Sequence, residues 1–169
     1  DIQIKKMVND GLIRKLKRGI YEVTSTVNSD DIVISKVFPN AIIFLESALF
    51  YYHYIDRVPK SWQVAVDRDK AKAQYKIDYP SLKPFYLESK YLEIGLTSYE
   101  RDGIVIKIYD RERTMIDLLR YEKKIDSEVY IKAIKSYIQD SHKNARKLFD
   151  YAKIFNITYK VQTQIGLWL

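Results

Sequence analysis

The stretch IVIKIYDRERTMIDLLRY, Ile104 to Tyr121, changes character part-way along. Ile104 to Tyr109 reads as a strand, and the preceding Arg101-Asp102-Gly103 supplies a turn back to a strand over Leu92 to Tyr99. Asp110 is then a helix N-cap, and Glu112 suits the positive end of the helix dipole. Arg113 stands four residues before Asp117, the spacing of a pair on one helix face. A helix from Asp110 to about Tyr121 follows. Beyond it, Val129, Ala133 and Tyr137 mark a helix from about Ser127. Leu148, Ala152 and Phe155 mark another, and Ile157 to Leu169 a short last one. Upstream, a helix is expected from Glu46 to about Tyr54 and a strand from Trp62 to Val66. Pro80 and Pro84 punctuate a stretch that reads as irregular. The chain is therefore α/β (α+β), with strands giving way to a helical bundle.

The N-terminal stretch is of another kind. Ile4, Met7 and Val8 form one helical face over Ile2 to Asn9, with Gln3, Lys5, Lys6 and Asn9 elsewhere on the wheel. GLIRKLKRGIY, Gly11 to Tyr21, then places Arg14, Lys15, Lys17 and Arg18 around a turn at Gly19, between β-like runs Ile13–Lys17 and Ile20–Val23. Such a concentration of like charge needs solvent, acidic neighbours or an anionic partner. A short basic helix followed by a basic hairpin matches the end of a winged helix-turn-helix. There the helix enters the major groove and the wing follows the phosphates. A solvated hairpin whose charges protect an edge strand is the competing explanation. Ser29-Asp30-Asp31 caps a helix to about Phe38, Pro39-Asn40 breaks it, and a linker is expected around residues 24 to 40.

Composition sets limits. The chain has 169 residues, 47% hydrophobic and 30% charged, which favours a packed fold over disorder. Lys and Arg outnumber Asp and Glu by 29 to 22, and the pI is about 9.3, which favours an anionic partner. With no cysteine, disulfides and thiolate metal sites are excluded. The longest purely apolar run, Ala41 to Leu45, is far shorter than the roughly 20 residues of a membrane span. The first residues carry no apolar signal-peptide segment, and a cytoplasmic protein is expected.

Catalytic signals are sparse. His53 and His142 lie far apart, and no nucleophile elbow, P-loop or dinucleotide glycine pattern occurs. His53 is expected on a half-buried helix. Asp67 followed by Glu88-Ser89-Lys90 has the spacing of metal-dependent nucleases, in which two carboxylates hold Mg²⁺ and a lysine stands near the attacking water. Glu88, however, falls in the stretch expected to be irregular. The tyrosines, such as Tyr130 and Tyr137, fit core edges better than base-stacking platforms. A second basic group, Lys143, Arg146, Lys147, Lys153 and Lys160, marks either a solvated helical face or a protein-binding one.

Four stretches, GLIRKLKRGIYEV, ESALFYYHYIDRVP, SWQVAVDRDK and YDRERTMIDLLRYEKKIDSEVYIKAIKSYI, resemble in that order the antitoxin of the AbiE abortive-infection system, a type IV toxin–antitoxin pair. The resemblance spans about Ile4 to Tyr159, and DRERTMIDLLR is its most telling piece. It implies a winged helix over residues 1–37 and an antitoxin domain over 38–169. It also implies a non-enzymatic protein without cofactor or metal, monomeric in solution and pairing on the inverted repeats of its operator. The expected DNA contacts are Gln3, Lys5, Lys6, Asn9, Arg14, Lys15, Lys17 and Arg18. The second basic group would face a nucleotidyltransferase-like toxin. A ligand-sensing regulator and the nuclease are the alternatives. The family has helices ahead of the recognition helix, so a segment preceding Asp1 is expected to cover Ile4, Met7 and Val8.

Overall fold

A computed structural model describes residues 1–26 and 28–169; Val27, inside the expected linker, lies outside the described residues. Helix α1, Ile2–Asn9, leads into the hairpin β1, Ile13–Lys17, and β2, Ile20–Val23. Helix α2 covers Asp30–Val37, β3 Ile42–Ile43, α3 Leu45–Tyr51, β4 Trp62–Asp67 and β5 Leu82–Leu87. A single turn α4, Ser89–Leu92, precedes β6, Leu96–Arg101, and β7, Ile104–Tyr109. Helices α5, Arg111–Arg120, α6, Ser127–Gln139, α7, Ala145–Ile154, and α8, Thr158–Gln164, complete the chain. The chain thus combines helices with strands in an α/β class, as the sequence reading expects.

The larger sheet has the order β5-β4-β3-β7-β6. β4 and β5 are parallel, as are β3 and β7, while β3–β4 and β6–β7 are antiparallel. One face packs Ile106 and Ile108 against Ile32, Ile34 and Phe38 of the α2 segment. The other packs Ile42, Ala65 and Tyr109 against the helices, where Met115, Leu119, Tyr137, Leu148 and Ala152 are buried. Helix α2, which the sequence reading places in the N-terminal segment 1–37, shares the sheet unit's core.

The corner from β7 into α5 fixes this layering. Asp110 caps α5 by accepting the Arg113 amide at 2.8 Å, and its own amide donates to the Gly95 carbonyl at 2.8 Å. Arg113 is fully buried and pairs with Asp117 at 3.0 Å. It also donates to the carbonyls of Tyr91 and Ile94 at 2.6 and 2.7 Å, between the rings of Tyr109 and Phe155. The Arg113–Asp117 pair expected at i,i+4 along α5 is thus part of a hydrogen-bonded core network, which is what permits two charges to be buried. Gly95 has φ +74°, and a Cβ there would stand 2.5 Å from Arg113 Cβ.

Three expectations are corrected here. The strand over Leu92–Tyr99 starts only at Leu96, because the Tyr91–Gly95 backbone is bent to bring two carbonyls onto Arg113. The irregular stretch around Pro84 is strand β5. β5 lies at the sheet's edge, where a missing N–H interrupts no ladder. His53 is also displaced. It follows α3 at φ 60° and is exposed. No helix among the described residues is long and apolar enough to cross a membrane.

Candidate nucleic-acid interface

Helix α1 and the hairpin form one hydrogen-bonded unit. Asp1 caps α1 through the Gln3 amide at 2.9 Å. At the other end Gly11, at φ +71°, lets the Leu12 amide reach the Met7 carbonyl at 2.9 Å, which closes the helix. Thr24 then ties β2 back to this turn, its amide on Leu12 O at 3.0 Å and its hydroxyl on Gly11 O at 2.6 Å. The hairpin register runs Ile13↔Val23, Arg14↔Glu22 and Lys15↔Tyr21, with a bulge before Lys17↔Ile20.

No residue of α1 is buried. At about 100° per residue Lys5, Asn9, Lys6 and Gln3 occupy one contiguous arc. All four are exposed, and Ile2, 87% exposed, lies within the same arc. Ile4, Met7 and Val8 occupy the opposite arc; Ile4 is half-buried, while Met7 and Val8 stand 36% and 37% exposed.

The four hairpin cations divide unequally. Arg14 pairs with Glu22, which is 8% exposed, and its guanidinium lies 3.7 Å above the Tyr79 ring. The bond to Glu22 raises the Arg14 pKa further. Lys15 pairs with Asp78 at 3.5 Å. Lys17 donates to the Gln74 carbonyl and sits 4.9 Å from the Phe38 ring. Leu16 between them is 5% exposed, and its carbonyl accepts the Asp78 amide. The crowded charge is therefore met largely by the segment 74–79 of the sheet unit. Arg18, exposed at the tip beside Gly19, has no acidic partner among the described residues, and the same holds for Lys5 and Lys6. Docking the hairpin in this way fixes the direction in which α1 and Arg18 point.

Sequence reasoning missed this role of Gln74, Asp78 and Tyr79. The available signal was an acid and an aromatic side by side ahead of Pro80, inside a stretch that otherwise read as a loop.

The second basic group is also partly engaged. Lys147 lies 3.3 Å from Asp110, Lys160 pairs with Glu122 and donates to Leu119 O at 2.7 Å, and Lys143 reaches Asp140 O at 3.3 Å. Arg146 and Lys153 remain exposed, seven residues apart and so near one face of α7, without an acidic partner among the described residues.

The parallel register Asp67↔Leu87 brings Asp67 beside Glu88, so these residues stand at neighbouring strand ends. Their side chains turn to separate partners. Asp67 accepts Ser89 Oγ at 3.1 Å and the Asp69 amide at 2.9 Å, while Glu88 lies 3.6 Å from Arg68 and 3.5 Å from Lys90. Among the described residues no group of three His, Cys, Asp or Glu is placed to hold a metal ion.

Comparison with protein-family models and with curated proteins finds no match for this chain.

Proposed function

We propose that this protein is the cytoplasmic antitoxin of an abortive-infection toxin–antitoxin pair, which represses its own operon and neutralises a nucleotidyltransferase-like toxin. The observation that carries the DNA half is the exposed basic arc of α1, joined by a single closed turn to a hairpin whose tip residue Arg18 has no acidic partner among the described residues. That arrangement suits a helix in the major groove beside a wing on the phosphates. Lys5, Lys6 and Arg18 are its phosphate contacts, and Gln3 and Asn9 face the bases. Arg14, Lys15 and Lys17 hold the wing against the sheet unit and act as positioning residues. The toxin half rests on the ordered resemblance along the sheet and helices, with Arg146 and Lys153 as the free cations offered to the toxin.

The test has two arms. The protein is titrated against the inverted repeats upstream of its own gene and against random duplex, and it is co-expressed with the toxin encoded beside it. Preference for the repeats together with rescued growth supports both halves. Rescue without DNA binding removes the first half, and DNA binding without rescue removes the second.

A further inference from the structure

Beside the docked hairpin lies a cleft of about 320 Å³. Its walls include Phe50, Pro59, Trp62 and Tyr79, with Asp30 among them and Lys60 also lining it. Asp30 is half-buried at the start of α2. Its two carboxylate oxygens accept Trp62 Nε1 at 3.1 Å and the Tyr79 hydroxyl at 2.9 Å, so the acid orients both aromatic side chains. Phe50 and Tyr79 remain 38% and 36% exposed, and Val58 beside them is 68% exposed. These are large apolar groups left open to water around one carboxylate. The size and the largely apolar lining, in which Asp30 is the one carboxylate beside Lys60, Ser47, Ser61 and Ser81, are those of a ligand pocket.

We infer that this cleft receives an arginine side chain, flanked by apolar residues, from a partner protein. A carboxylate offers about four acceptor positions, and Trp62 and Tyr79 use two of those on Asp30. The remainder face a planar cation well, because a guanidinium can pair with the acid and lie against an aromatic ring at once. Tyr79 already binds this way: Arg14 stacks at 3.7 Å on its ring. Charge selects among occupants. A nucleic acid would bring phosphate toward Asp30, and a neutral ligand would leave its charge unmatched. Lys60 is exposed, where solvent screens it, whereas Asp30 is half-buried and acts through a lower dielectric. The apolar flanks of the guest would cover Phe50 and Val58. This inference does not depend on DNA or toxin binding.

The chain has two tryptophans, and Trp168 is 70% exposed, so W168F leaves Trp62 as the sole indole reporter. In that background, acetyl-Leu-Arg-Leu-amide should change Trp62 emission saturably. The isosteric citrulline peptide should bind about tenfold or more weaker, since it removes a charge-assisted bond. Asp30→Asn should weaken the arginine peptide by a similar factor. Asp30 also anchors two aromatic side chains, so Phe50→Ala is the companion variant: it removes an exposed wall and should weaken binding several-fold with an unchanged unfolding transition. Equal binding of the two peptides overturns the inference. So does the absence of saturation up to about 10 mM peptide, or a thymidine oligonucleotide that titrates Trp62 more tightly than the arginine peptide does.

Discussion

Replacing Lys5, Lys6 and Arg18 together by alanine tests the proposed DNA interface most directly. Each phosphate contact adds about 0.9 to the slope of log affinity against log salt, so three contacts give about 2.7. Between 50 and 200 mM salt, affinity should then fall about 40-fold. If Arg14, Lys15 and Lys17 were also free to meet phosphates, the slope would be about 5.4 and the fall about 2,000-fold. The structure favours the smaller value, because those three cations are held by Glu22, Asp78, Gln74 and Tyr79. The assay is fluorescence anisotropy of a labelled promoter duplex at four salt concentrations, with random duplex in parallel. The triple variant should lose nearly all salt dependence and bind both duplexes weakly. Changing Arg14, Lys15 and Lys17 to alanine should leave the slope near that of wild type while reducing hydrogen-exchange protection in the hairpin. A triple variant that keeps the wild-type slope would refute the placement of DNA on α1. A wild-type slope above five would show that the hairpin leaves the sheet unit when DNA binds.

Three further outcomes are expected. Arg113→Met strands the carbonyls of Tyr91 and Ile94 and leaves buried Asp117 with Arg120 alone, so urea unfolding should show a loss of about 3–5 kcal/mol. Asp140 is disfavoured by burial, yet hydrogen bonds from the Tyr54 hydroxyl and His142 amide and the charge of Arg111 hold its pKa down to about 2. A depressed folded-state pKa stabilises above the unfolded value. Stability should therefore fall between about pH 4 and about pH 2, and Asp140→Asn should flatten that part of the profile. Asp67→Ala and Glu88→Ala should leave DNA binding and toxin rescue unchanged, whereas Mg²⁺-dependent cleavage by wild type that both variants lose would establish the nuclease alternative.

Local pattern carried the element boundaries where each segment's own residues decide them. The hairpin Ile13–Lys17/Ile20–Val23, strand Ile104–Tyr109 and the Asp110-capped α5 follow from side-chain period, glycine at the turn and a cap three residues from its amide. The strand through Pro84 was hidden, because tolerance of proline depends on lying at the sheet's edge, and that position is set by the order of all five strands. The break at Gly95 was hidden for a related reason: it serves Arg113, a residue of the following helix.

The candidate interface divides along the same line. The sequence by itself determined that four cations crowd one turn, that a helix with a polar arc precedes it, and that a mixed strand-and-helix unit follows. Periodicity and capping act over a few residues and need no knowledge of the rest of the chain. Only the tertiary structure decided which cations remain for a ligand. Lys17 meets a carbonyl 57 residues further along, and Arg14 and Lys15 meet Tyr79 and Asp78 of the same segment. Charge pairing depends on distance in space, and a turn's own residues hold no record of the segment that will fold against it.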